Sequence, residues 1–118
     1  MYRLGIDIGS TTAKAVVRDN NERTLFSKYV RHNADITACL DGILQECEAV
    51  LGDCETEAVI TGSAGLGVSE RIGLPFVQEV IAVSNFVQSC SINVNTLIDI
   101  GGEDAKIIFF NKGRLPLM

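Results

Sequence analysis

Two segments of the chain repeat one pattern, and this repeat limits the possible folds more than any other feature. Residues 5–14 read GIDIGSTTAK and residues 97–106 read LIDIGGEDAK, with six of ten positions identical and a constant offset of 92. In each segment an apolar strand runs into a glycine turn, and a second strand follows. The sequence therefore predicts two hairpins of the same design.

The tip of each predicted hairpin suits a phosphate group. Asp7 and Asp99 lie near the ends of the first strands, and the residues after them are small, so main-chain N–H groups can approach an anion closely. The carboxylates cannot contact phosphate directly because like charges repel, but each could hold Mg²⁺, directly or through water. Two hairpins that face each other would surround one Mg–nucleotide. The predicted phosphate-binding residues are Gly9, Ser10, Thr11, Thr12, Lys14, Gly101 and Gly102.

Several residues have two possible roles at this stage. Lys14 is either a phosphate contact or a solvated strand residue, and Lys106 is expected to be a solvated strand residue without direct phosphate contact. Glu103 either positions a catalytic water or is an exposed turn carboxylate. Thr61 and Gly62 either line the nucleotide cleft or form a tight strand-to-helix turn. A single IDIG motif could be an ordinary strand and turn, but two copies that share Asp and Lys favour phosphate binding.

The hydrophobic pattern predicts an α/β fold in the order β-β-β-α-β-α-β, with helices packed on a mixed five-stranded sheet. Residues 1–92 form the first predicted subdomain, and residues 93–118 form the incomplete opening hairpin of a second. Asp35 is the predicted N-cap of a helix that runs to Leu51. The other predicted helices span residues 68–72 and 79–90, and the predicted strands span residues 2–8, 13–18, 25–30, 58–61, 96–100, 105–110 and 115–118.

Composition narrows the classes of partner. The net charge is −5 and the basic residues are scattered, so no nucleic-acid-binding surface is indicated. No apolar run is long enough to span a bilayer and no signal sequence is evident, so we expect a cytoplasmic protein without a membrane partner. Cys39, Cys47, Cys54 and Cys90 form no C-x-x-C pair. They could belong to a metal or cluster site, but reduced thiols that act as small apolar residues are favoured.

Three segments resemble the BadF/BadG/BcrA/BcrD-type ATPases, which activate 2-hydroxyacyl-CoA dehydratases and benzoyl-CoA reductases. They are residues 5–14, residues 60–67 together with the PFVQEV stretch at 75–80, and residues 98–106, of which DIGGEDAK is the most specific. More broadly, the two hairpin motifs resemble the phosphate motifs of the superfamily that contains acetate kinase, sugar kinases, heat-shock chaperones and actin.

The resemblance implies a ribonuclease H-like, actin-like ATPase domain that binds ATP or ADP with Mg²⁺. It also implies a homodimeric parent protein whose [4Fe–4S] cluster delivers an electron to a dehydratase or reductase. No cysteine here matches the family's cluster ligand, so no iron–sulfur ligand is assigned to this chain, which we expect to be inactive alone. Two alternatives stay open: a small-molecule kinase of the same superfamily, and a non-catalytic actin-like scaffold module.

Overall fold

The computed structural model describes residues 1–90, 93–101 and 105–110. The chain divides into two compact units, Met1–Phe76 and Val77–Met118. This division reflects compactness alone, so the predicted subdomain boundary between residues 92 and 93 stays a prediction.

The first unit is built on a four-stranded mixed sheet. Its strands are β1 (Tyr2–Ile8), β2 (Thr12–Arg18), β3 (Thr24–Arg31) and β4 (Thr56–Thr61), in the spatial order β3-β2-β1-β4. β1 pairs antiparallel with β2 and parallel with β4. Alternate residues of the strands are buried on one face, and they include Leu4, Ile6, Ile8, Ala13, Ala15 and Val17.

The first helix, α1 (Ile36–Leu51), supplies the other half of this core. It begins at the predicted residue because an Asp35 carboxylate oxygen accepts a hydrogen bond from Ala38 N at 3.2 Å. It ends at Gly52, whose φ of 74° is costly for residues with a side chain. Leu40 and Ile43 are its buried residues, and full burial of such a side chain contributes about 1.5–3 kcal/mol. The predicted helix and its cap are confirmed.

The second helix, α2 (Gly65–Ile72), begins three residues earlier than predicted. A Cβ at Gly65 would lie 2.9 Å from Ile60 Cγ2 and 3.2 Å from Phe76 Cε2. Gly65 therefore allows the helix to pack closely on β4, and this packing outweighs the low helix propensity of glycine.

The second unit contains α3 (Glu79–Ser89), β5 (Thr96–Ile100) and β6 (Ala105–Phe109), with β5 and β6 paired antiparallel. The α/β class with a mixed sheet is confirmed. The single five-stranded sheet is not found, because the described strands form one sheet of four and one of two. The predicted strand over residues 115–118 lies outside the described residues. Within the described part of the chain, no helix is both long and apolar enough to cross a membrane.

Candidate phosphate-binding site

The two hairpins have the same strand register. Asp7 is opposite Lys14 across β1 and β2, and Asp99 is opposite Lys106 across β5 and β6. Each residue pair across β5 and β6 corresponds to a pair across β1 and β2, and both residue numbers differ by 92. The repeat in the sequence is therefore also a repeat in strand pairing.

The two repeated lysines have different partners. Lys14 Nζ lies 3.6 Å from Asp7 Oδ2 and 5.4 Å from the centre of the Tyr29 ring. About 40% of each of the two side chains is exposed, so this ion pair contributes about 0–1 kcal/mol to stability. Lys106 Nζ instead contacts Glu79 Oε2 of α3 at 2.5 Å. The Lys106 side chain is 36% exposed, so the residue expected to be solvated is in contact with solvent and also forms this ion pair.

At the tip of the first hairpin, three backbone carbonyl groups accept hydrogen bonds and two N–H groups have no acceptor among the described residues. Gly9 N donates to Thr12 O at 2.9 Å. Gly9 O accepts from His32 Nε2 at 2.9 Å, and Thr11 O accepts from His32 N at 3.1 Å. Among the described residues, the backbone N–H groups of Ser10 and Thr11 have no acceptor. Adjacent free N–H groups at a small-residue tip can bind an anion.

The end of β4 lies beside Asp7. Thr61 is opposite Asp7 in the parallel β1–β4 register, and Ala64 N donates to Ile8 O at 2.9 Å. Parallel strands end at the same edge of a sheet, which is where ligands bind in α/β folds. Thr61 Oγ1 is buried and has no hydrogen-bond partner within the described part of the chain. Leaving such a hydroxyl unpaired costs about 1–3 kcal/mol, so a bound ligand or water is its expected partner.

Glycine is the only residue type that fits at position 62, next to the Asp7 carboxylate. Its φ is 106°, and an added Cβ would lie 2.2 Å from Ile8 O and 2.6 Å from Asp7 Oδ1. A side chain here would displace Asp7 or the end of β1.

The structure thus brings part of the predicted site together in the first unit. Its members are Asp7, Gly9, Ser10, Thr11, Thr12, Lys14, Thr61 and Gly62. In the second unit, Asp99 is partly buried and Gly101 is exposed. Gly102 and Glu103 lie outside the described residues. The functional role of each residue stays a prediction.

His32 is not among the residues predicted from the sequence, although two of its atoms contact the tip of the hairpin. Its partners there are backbone carbonyls of Gly9 and Thr11, and a backbone partner leaves no signature in residue types. A single histidine with no motif around it gave no signal that could have revealed this contact.

All four cysteines are free thiols. Burial raises the pKa of the Cys39 thiol, and the nearby Asp35 carboxylate adds to the shift. Burial also raises the pKa of the Cys47 thiol, with a smaller contribution from Cys54. In the described residues, no three His, Cys, Asp or Glu side chains are grouped to hold a metal ion. A Mg²⁺ held by one carboxylate and by phosphate oxygens needs no such group.

Comparisons with known proteins agree with the predicted resemblance. No family model matches the chain. Over 119 residues the chain is 29% identical to the 2-hydroxyisocaproyl-CoA dehydratase activator of Clostridioides difficile, a match that covers 98% of this chain and 44% of that protein.

Two solved structures share the fold. The activator of the 2-hydroxyisocaproyl-CoA dehydratase from Clostridium difficile, solved with bound ADPNP, matches with a TM-score of 0.74 and 26% identity over 98% of this chain and 43% of that one. Component A of the (R)-2-hydroxyglutaryl-CoA dehydratase from Acidaminococcus fermentans matches with a TM-score of 0.73 and 23% identity over 98% of this chain and 45% of that one.

These matches confirm the resemblance to the activators and the actin-like ATPase fold. The chain spans less than half the length of each of these proteins.

Proposed function

We propose that this chain, which resembles dehydratase activators along almost its whole length, is the ATP-binding and ATP-hydrolysing part of such an activator. The observation that carries the proposal is the tip of the first hairpin. Its Ser10 and Thr11 N–H groups have no acceptor in the part of the chain that the structure describes, and Asp7 lies at the end of the adjoining strand. The similar activator was solved with bound ADPNP, an ATP analogue, which supports nucleotide binding by this chain.

In this proposal the first hairpin binds phosphate through backbone donors. Ser10 and Thr11 N–H groups donate to phosphate oxygens, and the hydroxyl of Thr12 adds a further donor. Asp7 suits Mg²⁺, because its carboxylate is partly exposed. It is also opposite Thr61 in the β1–β4 register, and the buried Thr61 hydroxyl has no partner among the described residues. When bound, the ion would neutralise charge on the phosphate oxygens. Thr61 would then hydrogen-bond a water molecule of the ion, and Gly62 would leave room for the Asp7 carboxylate.

The second hairpin is proposed to act on the same nucleotide. Its register matches that of the first, so Asp99 and Gly101 occupy the positions of Asp7 and Gly9 in their own hairpin. We assign phosphate contacts to Gly101 and Gly102, a share in Mg²⁺ binding to Asp99, and orientation of the attacking water to Glu103. Lys14 keeps two possible roles, because its ion pair with Asp7 leaves its ammonium group partly exposed.

The coupled activity is proposed from the resemblance. ATP hydrolysis would drive delivery of a low-potential electron to an acyl-CoA dehydratase or reductase in the cytoplasm, from a [4Fe–4S] cluster shared by a homodimer. The described residues do not fit the cluster, because the four cysteines are not grouped with further ligands. We therefore assign no step of electron transfer to this chain's own residues.

Calorimetry with Mg–ATP and Mg–ADP tests the proposal, on this chain and on a version continued to the length of the relatives. We expect the longer protein to bind both nucleotides and Asp7→Ala to abolish binding. Asp53→Ala is the control, because it removes the same charge from an exposed residue beyond α1. If the folded longer protein binds neither nucleotide, the ATPase assignment is wrong and the scaffold alternative replaces it.

A further inference from the structure

We propose that His32 is a positioning residue of the phosphate site, which holds the first hairpin with its N–H groups available to the nucleotide. This inference rests on the proposed function. His32 follows β3 directly and is only 6% exposed, so its ring is part of the structure beneath the hairpin tip.

His32 contacts the hairpin from both its ring and its backbone. The ring Nε2 lies 2.9 Å from Gly9 O, and the backbone N donates to Thr11 O at 3.1 Å. On its other side, the ring Nδ1 accepts from Ala34 N at 3.1 Å, and His32 O accepts from Asp35 N at 2.8 Å. His32 thus connects the hairpin tip to the first turn of α1.

These partners permit one form of the ring. Ala34 N–H can only donate, so Nδ1 must present a lone pair to it. Gly9 O can only accept, so Nε2 must carry the proton. Both contacts are therefore satisfied by the neutral ring protonated at Nε2. The tautomer is set by two backbone groups that lie 25 residues apart in the sequence.

The consequence for the phosphate site is electrostatic. Carbonyl oxygens carry partial negative charge and would repel a phosphate at the hairpin tip. His32 binds the carbonyls of Gly9 and Thr11, and Gly9 N binds that of Thr12. With these three oxygens fixed inside the protein, the free N–H groups of Ser10 and Thr11 stay in place for an anion before it arrives. Such preorganisation raises affinity, since the loop need not reorder on binding.

The backbone after His32 supports this role. Asn33 and Ala34 adopt left-handed conformations with φ of 50° and 64°. Alanine rarely adopts this conformation, because its Cβ is crowded there. The strained turn places Ala34 N within hydrogen-bond distance of the ring Nδ1, and this hydrogen bond fixes the orientation of His32.

Two substitutions separate the contacts of the ring. His32→Gln places an amide N–H₂ near the former Nε2, so it keeps a donor for Gly9 O. His32→Asn places an amide oxygen near the former Nδ1, so it keeps the acceptor for Ala34 N–H but loses the donor to Gly9 O. We would measure the dissociation constant for Mg–ADPNP and the thermal midpoint of both variants and the wild type, each in the version continued to the length of the relatives. The ¹⁵N shifts of the histidine ring would be recorded without nucleotide.

We expect Mg–ADPNP binding to weaken by ~10-fold in His32→Asn, because the hydrogen bond that holds Gly9 O is lost, and by ~3-fold or less in His32→Gln. The ring shifts should show a neutral ring protonated at Nε2. The inference is overturned if the Gln variant binds no more tightly than the Asn variant, or if Nδ1 carries the proton. Should the longer wild-type protein bind no Mg–ADPNP at all, the proposed function fails and the phosphate role of His32 fails with it, while the ring shifts of this chain still decide whether the tautomer is right.

Discussion

Gly62 lies where any side chain would collide with the end of β1. We predict that Gly62→Ala lowers the free energy of unfolding by at least ~2 kcal/mol, because strain at positive φ adds to a clash with the backbone oxygen of Ile8. The clash with Asp7 Oδ1 should also reduce Mg–ADPNP affinity. Urea unfolding and calorimetry measure the two effects.

Gly73→Ala is the matched control for this prediction. Gly73 also has a positive φ, of 72°, but an added Cβ would meet no atom of the described residues within 4 Å. Its cost should be about 1 kcal/mol of strain alone, with nucleotide affinity unchanged. Equal losses of stability in the two variants would show that the contact between Gly62 and Ile8 O is unimportant.

At the scale of elements, α1 depends on its first cap. We predict that Asp35→Ala lowers the free energy of unfolding by ~1 kcal/mol, because Ala38 N loses its acceptor. Asp35→Asn keeps a side-chain oxygen at the cap and should recover most of this loss. Urea unfolding followed by circular dichroism measures both. Equal stability of the alanine variant and the wild type would contradict the assigned cap.

The two cysteine thiols of α1 should make the stability of the chain decrease at high pH. The pKa values of Cys39 and Cys47 are raised in the folded chain, so the folded state holds these protons more tightly than the unfolded state does. Their contribution to stability is complete below the ordinary thiol pKa and is lost as pH rises through the folded values. The urea concentration at the unfolding midpoint should therefore decrease as the pH rises above 9.0, the ordinary pKa of a thiol.

A double variant, Cys39→Ala with Cys47→Ala, should show a smaller fall over the same pH range. Comparing both proteins by urea unfolding at several pH values removes the contribution of lysines and tyrosines, which they share. An identical fall in the two proteins would mean that these thiols do not titrate differently on folding.

Most elements were predictable because their signals are local. The alternation of apolar and other residues in β1 and the cap at Asp35 both depend on residues that are close in the sequence. The start of α2 was not predictable, because glycine disfavours helices and only the contacts of Gly65 with Ile60 and Phe76 explain it. Contacts between distant segments decide such cases.

At the scale of the whole molecule, two hairpins of the same register have opposite burial. Ile6 and Ile8 are 2% and 0% exposed, whereas their counterparts Ile98 and Ile100 are 63% and 78% exposed. The first pair is covered by the core that α1 completes. Sequence periodicity predicts the hairpin but not its burial, because burial depends on which other elements pack on it.

The same limit applies to the candidate site. Asp7 and the small residues of its hairpin were predictable, because a repeated motif identifies them. The contact of Gly62 with Asp7 and those of His32 with Gly9 and Thr11 were not, because their partners are distant in sequence.

The most direct test of the account follows backbone amides by NMR during a titration with Mg–ADPNP, in this chain and in a version continued to the length of the relatives. The account predicts that the amide signals of Ser10, Thr11 and Gly101 shift along one binding curve with one dissociation constant. Asp7→Ala should remove the shifts in both hairpins. Shifts confined to other residues, or two independent binding curves for the two hairpins, would contradict a single phosphate site built from both.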